Sequence, residues 1–489
     1  MSLYPPCLPT AILPETTESV QRMRRFAADP ARRGFPFRAC ADAPILGSMP
    51  TKPATPLTTS LAALFATLLA TLLVAALSLA CAPAGNTGLS SGVPHGADGG
   101  ISARTRLLAD SMAARMDLEA LAGQVIMTGI GATDYRADVS KLLSAYVAES
   151  LTDLKPGAVL LFGYNVPTEA YRLSELSSLL AETAGKGASA LSPLVAIDHE
   201  GGSVFRFKGG VTPLPAPASL GSGSIERIHL YGEASGTELR ALGVTLVLAP
   251  VVELSTGKNE GFLGSRSYGT EAARVDAAAL AFIRGLQSRG VAATAKHFPG
   301  NGAVDPHRGL PVLDLDENEY RKEILPRFAS AIRGGAAAVM LSHAILPAID
   351  PERNATLSPI LIRDELKRRT GFDGVVITDD LYMAALSAGA GENAGSPASA
   401  AVAALAAGAD MLMLSALGEA PKVRDAIAAA VRSGRLDSGR LRNAAARVIA
   451  LKIRFGLVPS QGNGNLRIDA GTLKKIVAAY AARLADTAE

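Results

Sequence analysis

From about Leu107 onward the chain alternates between two hydrophobic patterns. Runs dominated by apolar residues occur at Gln124–Ile130, Ala158–Phe162, Leu194–Asp198, Thr245–Pro250, Ala292–His297, Ala337–His343, Gly374–Asp379 and Asp410–Leu414. Runs of this kind, rather than alternating ones, are expected of parallel strands covered on both faces. Between them lie segments with helical periodicity, among them Tyr171–Ala184, Ala272–Arg289, Glu317–Arg333, Ile360–Thr370 and Pro397–Ala407. Eight strands alternating with helices over residues 107–460 predict an α/β fold, a single (β/α)8 TIM-type barrel. A doubly wound open sheet is the structural alternative. Residues 461–489 hold a Gly/Asn/Gln linker and one amphipathic helix, Ala470–Ala485. That helix is expected on the barrel exterior.

The first hundred residues follow neither pattern. Residues 1–48 are punctuated by Pro and Arg and read as disordered, or as an upstream extension if translation begins at Met49. Residues 49–81 read as a lipoprotein-type signal segment. Lys52 supplies a weakly positive start, Leu61 to Ala80 is free of charge, and Leu77-Ser78-Leu79-Ala80 leads into Cys81. A small residue before a lone cysteine resembles a bacterial lipobox, which makes Cys81 the expected lipidation site. A run of about twenty apolar residues also fits an uncleaved membrane anchor or an ordinary cleaved signal. All three readings place the remainder outside the cytoplasm. Residues 82–106, rich in Gly, Ser and Pro, read as a flexible tether.

Polar positions add chemistry to the barrel. Asp198-His199-Glu200 follows the third run, Lys296-His297 closes the fifth, His343 the sixth and Asp379-Asp380 the seventh. Barrel active sites are assembled from such C-terminal strand ends. A carboxylate there loses solvation unless it is hydrogen-bonded or catalytic, and one of the Asp379-Asp380 pair is expected to cap the helix from Leu381. Asp305-Pro306-His307 sets a carboxylate beside an imidazole, which fixes the tautomer and favours proton donation near neutral pH. Taken alone, His307 reads as a surface histidine, and His297 reads equally well as a core histidine. Gly201-Gly202 suggests backbone folded tightly near a ligand. Arg206 and Arg266 follow strand ends, where they are either site donors or surface charges.

Composition narrows the classes. The net charge of +3 and the absence of Trp argue against a nucleic-acid partner. The three cysteines, Cys7, Cys40 and Cys81, all precede the barrel, so no cysteine metal site or disulfide framework is available in it. No His-x3-His pair occurs, and Lys296 beside His297 repels cations, so neither a metal nor any other cofactor is expected. Within residues 107–460 no G-x-G-x-x-G follows a strand, and neither a Walker loop nor a G-x-S-x-G elbow occurs. Several acids, one acid-paired histidine and Arg/Lys donors suit glycosidic bond cleavage.

Lys296-His297-Phe298-Pro299-Gly300, with Asp305-Pro306-His307 beyond it, resembles the acid/base loop of family 3 glycoside hydrolases of the β-N-acetylglucosaminidase branch. Ile377-Thr378-Asp379-Asp380-Leu381-Tyr382-Met383 resembles that family's nucleophile strand. Asp198-His199-Glu200-Gly201-Gly202, Leu263-Gly264-Ser265-Arg266-Ser267-Tyr268 and Leu451-Lys452-Ile453-Arg454-Phe455-Gly456-Leu457 extend the match over about 107–457. The resemblance implies Asp379 as nucleophile and His307, oriented by Asp305, as general acid and then base. It further implies Asp198, Arg206, Arg266, Lys296 and His297 as the groups holding a terminal N-acetylglucosamine. The implied protein is an exo-acting, retaining, monomeric hydrolase of the single-domain branch, lipid-anchored to a bacterial membrane. It would take GlcNAc-terminated oligosaccharides or muropeptides. A phosphorylase, another β-glycosidase and a non-catalytic sugar-binding lipoprotein are the alternatives. Asn301 stands where the family has His, Pro306 where it has Ser, His199 where Gln is common and Ser203 where Arg is common, and the loop to Asp305 is shorter.

Overall fold

Eight parallel strands close on themselves in chain order. They are β1 (Ile126–Gly129), β2 (Ala158–Leu161), β3 (Leu194–Ile197), β4 (Leu246–Val247), β5 (Ala292–Phe298), β6 (Ala338–Leu341), β7 (Val375–Asp380) and β8 (Met411–Leu414). Each pairs with its neighbours in sequence, and β1 pairs with β8 (Ile126 opposite Leu412). The expected barrel therefore holds over the open-sheet alternative. This computed structural model describes residues 101–136, 138–185, 191–389, 396–458 and 467–487. The expected extension, signal segment and Cys81 lie outside the described residues, as does most of the tether.

Side chains alternate across each strand, so one apolar run feeds two cores. Ala158 and Leu160, Leu194 and Ala196, Val375 and Ile377, and Met411 and Met413 fill the barrel interior. Val159 and Leu161, Val195 and Ile197, Val376, and Leu412 and Leu414 pack outward under the helices. The helix Ser438–Arg454 closes the N-terminal end, where Val448, Leu451 and Phe455 join the interior cluster. The C-terminal helix, Ala470–Asp486, rests on the outer helix Ile225–Ala241, with Thr237 Oγ1 and Tyr480 Oη 2.8 Å apart.

Two boundaries differ from expectation. The helix Ala103–Ala113 begins inside the stretch read as tether, because Ser102 caps it and Ala109 and Ala113 are buried. Glu317–Arg333 is not one regular helix: a capping box at Asp316/Glu319 leads into a wide π turn, Tyr320–Ile324, and then Leu325–Arg333. Pro326 has no N–H for the regular ladder, so the turn before it widens. Among the described residues, no helix is long and apolar enough to cross a membrane.

Candidate active site

Counting by twos along β3, β5 and β7 from their inward-facing residues leads to Asp198, Lys296 and Asp379. The alternation that fills the interior thus sets charge on its upper layer. Lys296 is buried and reaches Asp198 Oδ1 (3.0 Å) and Glu200 Oε1 (2.6 Å). Arg206 donates to Asp198 Oδ2 at 2.9 Å, and Arg266 forks onto Glu200 with two bonds of 2.8 Å. Burial works against ionisation of Asp198, but the Lys296 and Arg206 cations outweigh it and hold the carboxyl well below its usual range. Burial opposes Glu200 likewise, and Lys296 and Arg266 bring it down to about 2. For Lys296, burial alone would favour the neutral amine, but Glu200 and Asp198 push its pKa up instead. The floor is therefore an ionised network of fixed donors and acceptors. Arg206 Nε is buried with no hydrogen-bond partner among the described residues.

Glu253, beyond β4, organises the next wall and was not singled out from sequence. Its carboxylate accepts the His297 backbone N–H (3.1 Å), His297 Nδ1–H (2.7 Å) and the Asn301 backbone N–H (2.7 Å). The Asn301 side-chain amide adds a contact at 3.2 Å. With Nδ1 committed to Glu253, His297 keeps Nε2 for another partner. The signal for Glu253 was present, since it is an acid beyond a strand end, like Asp198.

At the end of β7 the two aspartates separate. Among the described residues Asp379 Oδ1 accepts only the next backbone N–H (2.8 Å), whereas Asp380 Oδ1 accepts the Tyr382 (3.2 Å) and Ser415 (3.1 Å) N–H groups. Asp380 is the structural acid. It ties β7 to β8 rather than capping a helix at Leu381, because the helix begins at Ala384. His343 donates from Nε2 to the Asp380 carbonyl (3.0 Å), and its Nδ1 lies 2.7 Å from Thr356 Oγ1. Burial lowers the His343 pKa, with the Asp379 charge opposing and His297 assisting, which places these three groups in one electrostatic neighbourhood.

The loop after β5 brings in Asp305 and His307. Gly302 allows it to double back, because a Cβ there would sit 2.5 Å from the Val312 carbonyl oxygen. Asp305 Oδ1 accepts both the backbone N–H (2.9 Å) and Nδ1–H (2.8 Å) of His307. Partial burial opposes ionisation of Asp305, but those two donors outweigh it and hold its pKa below the usual value. The loop docks on the segment after β7, where Ala385 N–H donates to the Pro306 carbonyl at 3.1 Å. Phe262 packs against both His297 (centroids 6.0 Å apart) and His307 (6.2 Å). Asp198, Arg206, Lys296 and Arg266 thus meet in one network, His297 stands beside them through Phe262, and the loop that carries Asp305 and His307 meets the helix that follows β7.

Gly201-Gly202 is tightly folded backbone, as its sequence suggested. Its positive φ values (95° and 55°) turn the hairpin of His199–Gly201 and Val204–Phe205, and a Cβ on Gly201 would meet Pro215 O at 2.2 Å. His199 is a core residue between Phe205 and Phe207, and burial depresses its pKa to about 4.

A barrel mouth lined by strand-end carboxylates, with an acid-paired imidazole on a loop beyond β5, has the groups that a glycoside hydrolase needs. The chain belongs to glycosyl hydrolase family 3, whose N-terminal domain model matches residues 122–451. It is 38% identical over 274 residues to a β-hexosaminidase of Thioalkalivibrio sulfidiphilus, covering 54% of this chain and 75% of the relative. A β-hexosaminidase of Methylococcus capsulatus is 35% identical over 286 residues (56% and 80% covered). Among solved structures, a family 3 β-N-acetylglucosaminidase from Paenibacillus sp. matches with TM-score 0.65 and 32% identity, over 75% of this chain and 68% of that one. A β-N-acetylhexosaminidase from Beutenbergia cavernae matches with TM-score 0.59 and 29% identity (69% and 99% covered).

Proposed function

We propose that the protein is an exo-acting, retaining β-N-acetylglucosaminidase that removes terminal β-linked N-acetylglucosamine from peptidoglycan or chitin fragments. The observation that carries this reading is the docking of the Asp305–His307 loop on the segment after Asp379, through Ala385 N–H and the Pro306 carbonyl. The names of the relatives support it. Asp379 attacks the anomeric carbon while the glycosidic oxygen departs with the proton of His307 Nε2, leaving a glycosyl ester on Asp379. Water then attacks that carbon and gives a proton to His307 as the Asp379 carboxylate leaves. Asp305 holds His307 Nδ1–H throughout and stabilises the imidazolium. Asp198, Arg206, Arg266, Lys296 and His297 hold the sugar. Action as a monomer is part of the same proposal.

The test follows aryl release from an aryl β-N-acetylglucosaminide. Asp379→Asn is expected to lower kcat by at least ~10³-fold, and added phosphate to leave wild-type turnover unchanged. An active Asp379→Asn variant would refute the assigned nucleophile, and turnover that needs phosphate would replace the hydrolase by a phosphorylase. The same proposal places lipid on Cys81 and the barrel on the outer side of a bacterial membrane. Labelled palmitate is expected to enter the full chain and not its Cys81→Ser variant; equal labelling of the two would overturn the anchor.

A further inference from the structure

We propose that Phe262 is a positioning residue for the acid/base histidine, fixing the plane of the His307 imidazole that Asp305 alone leaves free to swing. The inference rests on the role of His307 proposed above. Asp305 grips His307 at one ring nitrogen only, and the His307 side chain is 60% exposed. A single hydrogen bond sets the tautomer but not the tilt of the ring. The Phe262 ring supplies the second contact, with centroids 6.2 Å apart and planes inclined at 47°, within the range of favourable aromatic packing.

Phe262 is itself held by the rigid part of the site. The Arg266 guanidinium lies over its ring at 4.9 Å, and that guanidinium is forked onto buried Glu200. On another side the ring meets His297 (6.0 Å), which Glu253 clamps. Its backbone belongs to the short helix Glu260–Leu263, where Phe262 N–H donates to the Asn259 carbonyl (3.1 Å) and Leu263 is buried. Phe262 therefore carries the position of the fixed floor to the one catalytic group that stands on a loop. Proton transfer tolerates little misplacement, and an error of about 1 Å costs on the order of 100-fold in rate.

Mispositioning of a general acid has a signature that loss of sugar binding lacks. A good leaving group departs without protonation, whereas a sugar needs the proton. The full chain and its Phe262→Ala variant are compared on N,N′-diacetylchitobiose and on the 2,4-dinitrophenyl β-N-acetylglucosaminide. For the variant, kcat/KM on the disaccharide is expected to fall about 10- to 100-fold. On the dinitrophenyl substrate it stays within about twofold, since that step needs no acid. Azide, which attacks without base help, is expected to raise the variant's dinitrophenyl turnover and leave wild type unchanged. Phe262→Tyr restores the disaccharide rate. Should the alanine variant melt early, Phe262→Leu carries the same comparison, because it fills the volume without a ring. Equal falls on both substrates, or no fall on either, would overturn the positioning role while leaving the proposed activity intact. A wild type inactive on both substrates would overturn that activity and this role together.

Discussion

Replacing Lys452 by Met should stabilise the protein at mildly acidic pH. Lys452 lies in the helix that closes the barrel, is fully buried, and donates from Nζ to Gln124 Oε1 at 2.7 Å. Burial depresses its pKa to about 7 against an ordinary 10.5. The folded state therefore holds fewer protons than the unfolded one between these values, and stability must rise with pH across that window. Below about pH 7 the whole penalty stands, ~5 kcal/mol at 1.36 kcal/mol per pKa unit. Methionine has a similar unbranched shape and removes the charge, but it leaves Gln124 Oε1 without its donor at ~1–3 kcal/mol. The net gain near pH 6 is then ~2–4 kcal/mol, seen as a rise of a few degrees in the calorimetric unfolding midpoint. Near pH 9 the remaining penalty is only ~2 kcal/mol, so the two proteins should melt together. A variant that melts at or below wild type near pH 6, or an advantage that does not shrink towards pH 9, would refute the reasoning.

Two further substitutions separate catalysis from folding. Glu253→Gln offers one acceptor oxygen where His297 and Asn301 together present several donors. Its kcat/KM on the aryl glycoside is expected to fall ~10- to 100-fold through misplacement of His297, and a value within twofold of wild type would dismiss the clamp. Asp410→Asn acts at the opposite end of the barrel, where Asp410 holds Lys367 (2.8 Å) and Arg440 (2.9 Å). Burial opposes ionisation of Asp410, but the Lys367, Arg440 and Arg447 cations depress its pKa, so its stabilisation is present above the unfolded value and lost as pH falls through the folded one. Near neutral pH the substitution should cost ~3–5 kcal/mol by leaving buried cations unpaired, with activity per folded molecule unchanged. A midpoint equal to wild type would show the cluster to be dispensable.

The strand pattern was legible because it is local. Buried parallel strands betray themselves as apolar runs, and all eight barrel strands fall on such runs. Charge on Asp198, Lys296 and Asp379 at the ends of those runs marked the mouth of the barrel, since a charge is tolerated there and not within the layers below. The Asp305–His307 contact was legible for the same reason, being made between residues two apart. Other features depended on closure of the barrel. Glu253 and His297 are 44 positions apart and Lys296 and Asp198 are 98 apart, so their pairing is set by which strands become neighbours. Apart from the family resemblance, nothing in the order of residues said that Asp380 would be consumed by the backbone N–H groups of Tyr382 and Ser415. Phe262 carried no mark in the sequence, and nothing in the motif around Lys452 said that its amine would be buried. Sequence alone determined the strands, their inward face and the kind of chemistry at their ends. Only the tertiary structure decided which of those polar groups hold one another and which are left facing the pocket, because hydrogen bonds and burial are properties of neighbours in space.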